Sequence, residues 1–139
     1  MREILFRGKT IDGDWTYGYY VFTPKRTGMF GQTINEADFD RHYILTMKYN
    51  LVKEINPETV GQYTGLTDKN GKKIFEGDIV KTNTGKLYEI KLRKGCWVVW
   101  SGAEKLEYHK WDFLNTFAPT VEIIGNIHDN KLEDFENGC

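Results

Sequence analysis

Cysteine is scarce in this chain: two residues among 139, Cys96 and Cys139. Two thiols so placed cannot make a disulfide framework, and a zinc site needs three or four ligands, usually with close-spaced pairs. Cys96 lies in the apolar run Cys96-Trp97-Val98-Val99-Trp100 and reads as a small buried hydrophobe. Cys139 is the last residue, where order is hardest to hold. Prolines number three against fourteen glycines, so the turns must rest on glycine. No apolar run approaches the roughly 18 residues of a membrane span, and no charged-then-apolar leader opens the chain. A soluble, cytosolic protein without membrane contact is expected. The net charge is only −1, which excludes a global field pulling the chain onto nucleic acid or lipid. Locally the balance shifts. Asp68 to Lys110 holds ten Lys/Arg against six Asp/Glu, and Trp111 to Cys139 holds one Lys against six Asp/Glu. A basic middle and an acidic end read most simply as solvated strand faces and a soluble terminus.

Catalytic constellations are also missing. The histidines are His42, His109 and His128, with no pair at i, i+4 spacing. No Ser-His-Asp or Cys-His context is visible. The Asp68-Lys69-Asn70-Gly71 stretch lacks the Gly and Glu that a calcium loop requires at its sixth and twelfth positions, which here are Lys73 and Ile79. Gly61 and Gly65 have no Lys-Ser/Thr pair behind them, as a phosphate loop would. Glu76 and Asp78 are the best-placed carboxylates, but a corner at Gly77 takes them off a common strand face. Asp78 is expected to accept hydrogen bonds from backbone amides of that corner, with Gly77 supplying the unusual dihedral. No enzymatic activity, cofactor or metal is expected.

What is present is strand. Aromatics make up 14% of the chain and apolar residues 40%, too hydrophobic for disorder and biased to β structure. Residues 3–22 read as a hairpin turning at Asp12-Gly13. Its second arm sets Trp15, Tyr17, Tyr19 and Val21 on one face and Thr16, Gly18, Tyr20 and Phe22 on the other. A strand apolar on both faces is expected to be sandwiched, inside the domain or against another subunit. Residues 23–41 are irregular, a candidate functional loop with a short helix at Glu36 to Asp40. Strands are expected at His42 to Met47 and Leu51 to Ile55, then a short helical turn after Pro57. In Val60 to Val80, Asn70-Gly71 between apolar runs signals a hairpin of type I′ geometry. Its arms are Gly61 to Thr64 and Lys73 to Phe75, and the Glu76-Gly77-Asp78 corner follows. Ile79 to Lys81, Leu87 to Leu92, Cys96 to Trp100, a weak Leu106 to Tyr108 and Val121 to Ile127 complete the set. Tyr88, Ile90 and Leu92 share one face. Turns every 8 to 12 residues among such short strands indicate a small, strongly bent barrel or sandwich, with the look of an SH3-like barrel.

Three groups of residues together carry a family resemblance. The first is Phe6-Arg7-Gly8-Lys9 followed by Trp15-Thr16-Tyr17-Gly18. The second is Pro57 to Lys72 (PETVGQYTGLTDKNGK) running into Ile74-Phe75-Glu76-Gly77-Asp78-Ile79-Val80. The third is Ile124-Gly125-Asn126-Ile127-His128. With this order and spacing the chain resembles the YopX family of small phage and prophage proteins. The resemblance spans nearly the whole chain, although Thr23 to Tyr49 matches nothing in it. It implies a mostly-β fold encoded in phages or prophages of low-GC Gram-positive bacteria, hence the host cytoplasm, and brings no catalytic residue to map. Gly61, Gly65, Asp68, Asn70, Gly71, Gly77, Asp78, Gly125 and Asn126 are its structural residues here.

The fold class expected is therefore mostly β, with an N-terminal hairpin region (1–56), a hairpin, corner and small SH3-like barrel (57–128) and an acidic tail (129–139), in one compact unit. The function expected is a non-enzymatic accessory protein that works as an oligomeric interaction module, partnered by its own copies or by a phage or host protein. The alternative is a nucleic-acid-binding module. Lys86, Lys91, Arg93, Lys94, Trp97 and Trp100 cluster on the barrel strands, and small barrels bind single strands by stacking over a cationic groove. Four tryptophans in a β-rich chain are more often core, so nucleic acid is the less favoured partner.

Overall fold

The computed structural model describes residues 3–32, 39–46, 48, 51–93, 96–100 and 118–130, with the backbone path alone at 93, 98 and 100. Its elements are β1 (Phe6–Thr10), β2 (Trp15–Thr23), β3 (Arg41–Thr46), β4 (Val52–Thr67), β5 (Lys73–Phe75), β6 (Asp78–Lys81), β7 (Leu87–Arg93), β8 (Cys96–Trp100), a 3-10 turn (Ala118–Thr120) and β9 (Glu122–Asn126). The fold is mostly β, as the sequence predicts. Among the described residues no helix is long and apolar enough to cross a membrane. The chain divides into two compact units, Ile4–Val60 and Gly61–Cys139 with Met1–Glu3.

The first unit is an antiparallel row β1-β2-β3-β4 in which β1 also pairs with β4. The hairpin expected over 3–22 is there, with Phe6 opposite Gly18 and Lys9 opposite Trp15. The helical turn expected after Pro57 is not: β4 runs straight through it. Side chains compensate for the proline. Asn56 Oδ1 accepts from the Glu58 amide (3.1 Å), and the Thr59 hydroxyl donates to the Asn56 carbonyl (2.6 Å) while accepting from the Lys9 amide of β1 (2.8 Å). The unit's interior is filled by Leu5, Ile44 and Ile55. Facing them, β2 presents buried Thr16 and Gly18 and half-buried Tyr20.

The second unit joins the end of β4 and β5 as a hairpin, with Tyr63 opposite Phe75, and adds the antiparallel sheet β8-β7-β6-β9. Ile74, Val80, Ile90, Ala118 and Val121 make its core, with Leu66, Tyr88, Trp97, Val99 and Ile123 packed against them. Ile90 and Tyr88 thus face inward as their alternation predicts. The expected strand at Leu106 to Tyr108, the first part of the helix at Glu36 to Asp40 (residues 36–38), the Lys94-Gly95 turn and most of the acidic tail lie outside the described residues.

Four turns share one build: Thr10–Asp14, Gly28–Gln32, Asp68–Lys72 and Thr82–Lys86. In each, the first carbonyl accepts from the glycine amide three residues on, and the first amide donates to the carbonyl four residues on. This is a type I turn closed by a left-handed glycine, a three-residue loop. The Asn70-Gly71 hairpin is therefore one residue wider than the two-residue type I′ loop expected, with Gly71 at φ 79°. Asp68 caps this loop from within, its Oδ1 accepting from the amides of Asn70 and Lys72.

Candidate interaction surfaces

Strand alternation and register assemble the first surface. Tyr19, Leu45 and Val52 form one cross-strand row over β2, β3 and β4, and Val21, Tyr43 and Glu54 form the next. Adjacent rows of aromatic and β-branched side chains stabilise one another, yet this is the outer face. Tyr19 is 51% exposed and Val52 61%, and Tyr17 and Val21 are exposed too. The sequence sets apolar residues on both faces of β2, and the structure turns the more apolar face outward. The inner side is closely approached at its glycines: a Cβ at Gly8 would overlap the Ile55 side chain, and one at Gly18 the Leu45 carbonyl of the neighbouring strand.

A groove of about 360 Å³ lies at the end of the same sheet, lined by Trp15, Thr16, Tyr17, Thr46, Lys48, Leu51 and Lys53. The pairing of β2 with β3 stops at Gly18 and Thr46, so residues 15–17 run on past the end of β3. The connection to β4 is held by Thr46. Its hydroxyl donates to the Lys48 carbonyl (2.7 Å) and accepts from the Leu51 amide (3.1 Å), and its own amide donates to the Leu51 carbonyl (2.7 Å). On β1, the Arg7 guanidinium lies 4.7 Å and the Lys9 ammonium 5.9 Å from the Trp15 ring centre. Sequence reading picked out Trp15 and Tyr17 as strand residues only. Lys48 and Lys53 carry no local signal, because only the folded path of the chain makes them line the same groove.

The basic and aromatic set on β7 and β8 is divided between the two faces of the sheet. Register sets Leu92 opposite Trp97, Lys91 opposite Val98, Glu89 opposite Trp100 and Arg93 opposite Cys96. Positions 91, 93 and 100 share one face. Trp97 is on the other, packed against the core. Lys91 lies 3.5 Å from the Glu89 carboxylate. Lys86 is exposed just after the Gly85 turn, and Lys94 lies outside the described residues.

The remaining motif residues hold the fold. Gly61 admits the Glu76 carbonyl, which a Cβ would meet at 2.6 Å, and Gly65 and Gly77 have φ of 86° and 91°. Asp78 accepts from the Phe75 amide (2.8 Å) and is buried, the corner role expected of it. Asp68 Oδ1 accepts from the amides of Asn70 and Lys72 (both 2.9 Å), and Oδ2 accepts from that of Ile123 (3.1 Å). Gly125 pairs with Ile79 beside a register shift. Asn126 Oδ1 accepts from the amides of His128 (3.0 Å) and Asp129 (2.9 Å). His42 Nδ1 bonds the Tyr20 hydroxyl, whose pKa burial pushes up. Among the described residues no three His, Cys, Asp or Glu side chains converge as metal ligands would.

A family model described as "YopX protein" matches residues 18–133. Among solved structures, the crystal structure of protein EF1440 from Enterococcus faecalis is similar. It is 23% identical, covering 94% of this chain and 96% of that one, with a TM-score of 0.48. No curated protein matches the chain.

Proposed function

The chain belongs to the YopX family, and from that premise we propose a non-enzymatic accessory protein of phage or prophage origin that acts in the host cytoplasm as a self-associating interaction module. The observation that carries this reading is the outward face of Tyr19, Val21, Tyr43, Leu45 and Val52 on the first unit. Its centre holds no charge, and Glu54 lies at its margin. An apolar centre with a polar rim is the anatomy of a homodimer interface, and exposed contiguous apolar patches mark interaction sites. A two-fold interface uses the same patch on both copies, so one such face is enough to build a dimer. Each valine or leucine carried from exposure to full burial returns about 1.5–3 kcal/mol.

Light scattering at a concentration on the order of tens of micromolar is expected to give a mass at least twice the 16.2 kDa of the chain. Tyr19→Asp, which places a charge at the centre of the patch, is expected to return the monomer with an unchanged β circular dichroism spectrum. A wild-type monomer would overturn the reading. Assembly that survives Tyr19→Asp would take the interface off this face.

A further inference from the structure

We propose that the groove at the end of the first unit's sheet is a binding site for a nucleobase joined to a phosphate, either as a free nucleotide or within a single strand. The groove combines two chemistries that a simpler ligand would not use together. Trp15 and Tyr17 offer flat aromatic surface, and Leu51 adds an apolar wall. Lys48 and Lys53 line the same groove, and the lining holds no carboxylate. A bare anion would leave the rings unused, and a neutral aromatic would leave the lysines unused. A nucleotide uses both, since every base has a face to stack and a phosphate to neutralise. The volume of about 360 Å³ sits at the small end of ligand sites, which run from roughly 300 to 1,000 Å³. That suits one ring system with its anionic group. A duplex keeps its bases stacked inside and offers nothing to the rings.

The positive potential extends beyond the lining, because Arg7 and Lys9 flank Trp15 from β1. Those contacts also fix the indole, so little rotamer freedom remains to be lost on stacking. The site is separate from the basic set of β7 and β8, whose Trp97 is committed to the core. It also goes beyond self-association, and neither proposal needs the other.

The test is fluorescence anisotropy with a labelled oligothymidylate at low and moderate salt, with calorimetric titration of thymidine monophosphate alongside. Binding that weakens with salt is expected. Reversing both lysines (Lys48→Glu with Lys53→Glu) is expected to weaken it at least tenfold. Tyr17→Ala is expected to weaken it 5-fold or more, as loss of one stacking partner does. Both changes fall on exposed side chains, and the urea midpoint confirms that folding is intact. Lys91→Glu is expected to bind like the wild type. Binding of the monophosphate with the same mutational pattern assigns a free nucleotide, and binding of the oligonucleotide alone assigns a strand. The proposal is overturned if neither probe binds at low salt. It is equally overturned if the lysine reversals and Tyr17→Ala leave affinity unchanged, or if Lys91→Glu costs as much as they do.

Discussion

Asp68→Ala is expected to lower the unfolding free energy by about 3 kcal/mol, the cost of leaving three part-buried amides without their charged acceptor. One carboxylate here serves three backbone donors: Asn70 and Lys72 on Oδ1 and Ile123 on Oδ2. The first two close the β4–β5 loop on itself. The third fastens that loop to β9, helped by the Lys69 amide on the Val121 carbonyl (2.9 Å). Val121 belongs to the core and Ile123 packs against it, so the carboxylate joins a turn 55 residues away in sequence to the strand that seals the core. The Lys69–Glu122 pair at the same place is exposed, at 3.6 Å, and adds little. Asp68→Asn keeps one acceptor oxygen but turns an NH2 toward a donor, and about half of the loss is expected. The measurement is the urea midpoint, with an m-value unchanged if the unfolded state is untouched. A loss under about 1 kcal/mol would mean that water replaces the carboxylate, and the three-amide account would then fail.

The same residue predicts an acid limb. Burial pushes the Asp68 carboxyl up, but the amides of Ile123, Lys72 and Asn70 and the charge of Lys72 together hold it below the usual carboxylate value. Since the folded pKa is depressed, its contribution is complete above the unfolded value near 3.9 and is lost as pH falls through the folded value. Wild-type stability should therefore decline from about pH 4 downward. In Asp68→Asn this share of the slope should vanish, and the two curves should converge at low pH. Parallel curves would assign the acid limb to other carboxylates.

Local chemistry was legible, and distances across the sheet were not. Alternation placed Ile90 and Tyr88 inward because period 2 is a property of the strand itself. Glycine after a polar residue placed the turns at Asp12-Gly13 and Thr84-Gly85 from local sequence in the same way. The Asn70-Gly71 turn was placed but mis-typed, because Asn-Gly serves a three-residue loop with a left-handed glycine as well as the two-residue one. Pro57 read as a break because a proline removes one donor, and nothing local announces that Thr59 and Asn56 restore the pairing. The choice between the two faces of β2 was not legible, because both carry aromatic side chains and the core residues Ile44 and Ile55 lie on other strands. The groove needed the tertiary path that sets the β3–β4 connection beside the start of β2. Trp97 was placed beside Lys91 by sequence proximity, whereas adjacent residues on a strand point to opposite faces.

Gly18→Ala should be the most damaging glycine substitution in the chain's first unit, costing about 3 kcal/mol or more, the upper range for overpacking. The reason is close approach rather than an unusual dihedral, since Gly18 is not among the glycines with positive φ. It sits opposite Thr46, and an added Cβ would fall within the van der Waals envelope of the Leu45 carbonyl oxygen and meet its carbon at 2.8 Å. The obstacle is backbone of the neighbouring strand, so relief requires β2 and β3 to separate over their whole ladder, from Gly18–Thr46 to Thr23–Arg41. That separation would also disturb the outward rows of Tyr19 and Val21, and self-association should weaken along with stability. Gly8→Ala is the control. Its Cβ would strike the end of the Ile55 side chain, which can change rotamer, so a cost of about 1 kcal/mol is expected. Gly13→Ala meets nothing within 4 Å but has φ 91°, so it should cost about 1–2 kcal/mol through backbone strain alone. The order Gly18 well above Gly13 and Gly8, read from urea midpoints of the three variants, separates close packing from conformational freedom as the reason for a glycine. Equal losses at all three sites would mean that β2 and β3 are free to move apart, and close approach would no longer be the reason for Gly18.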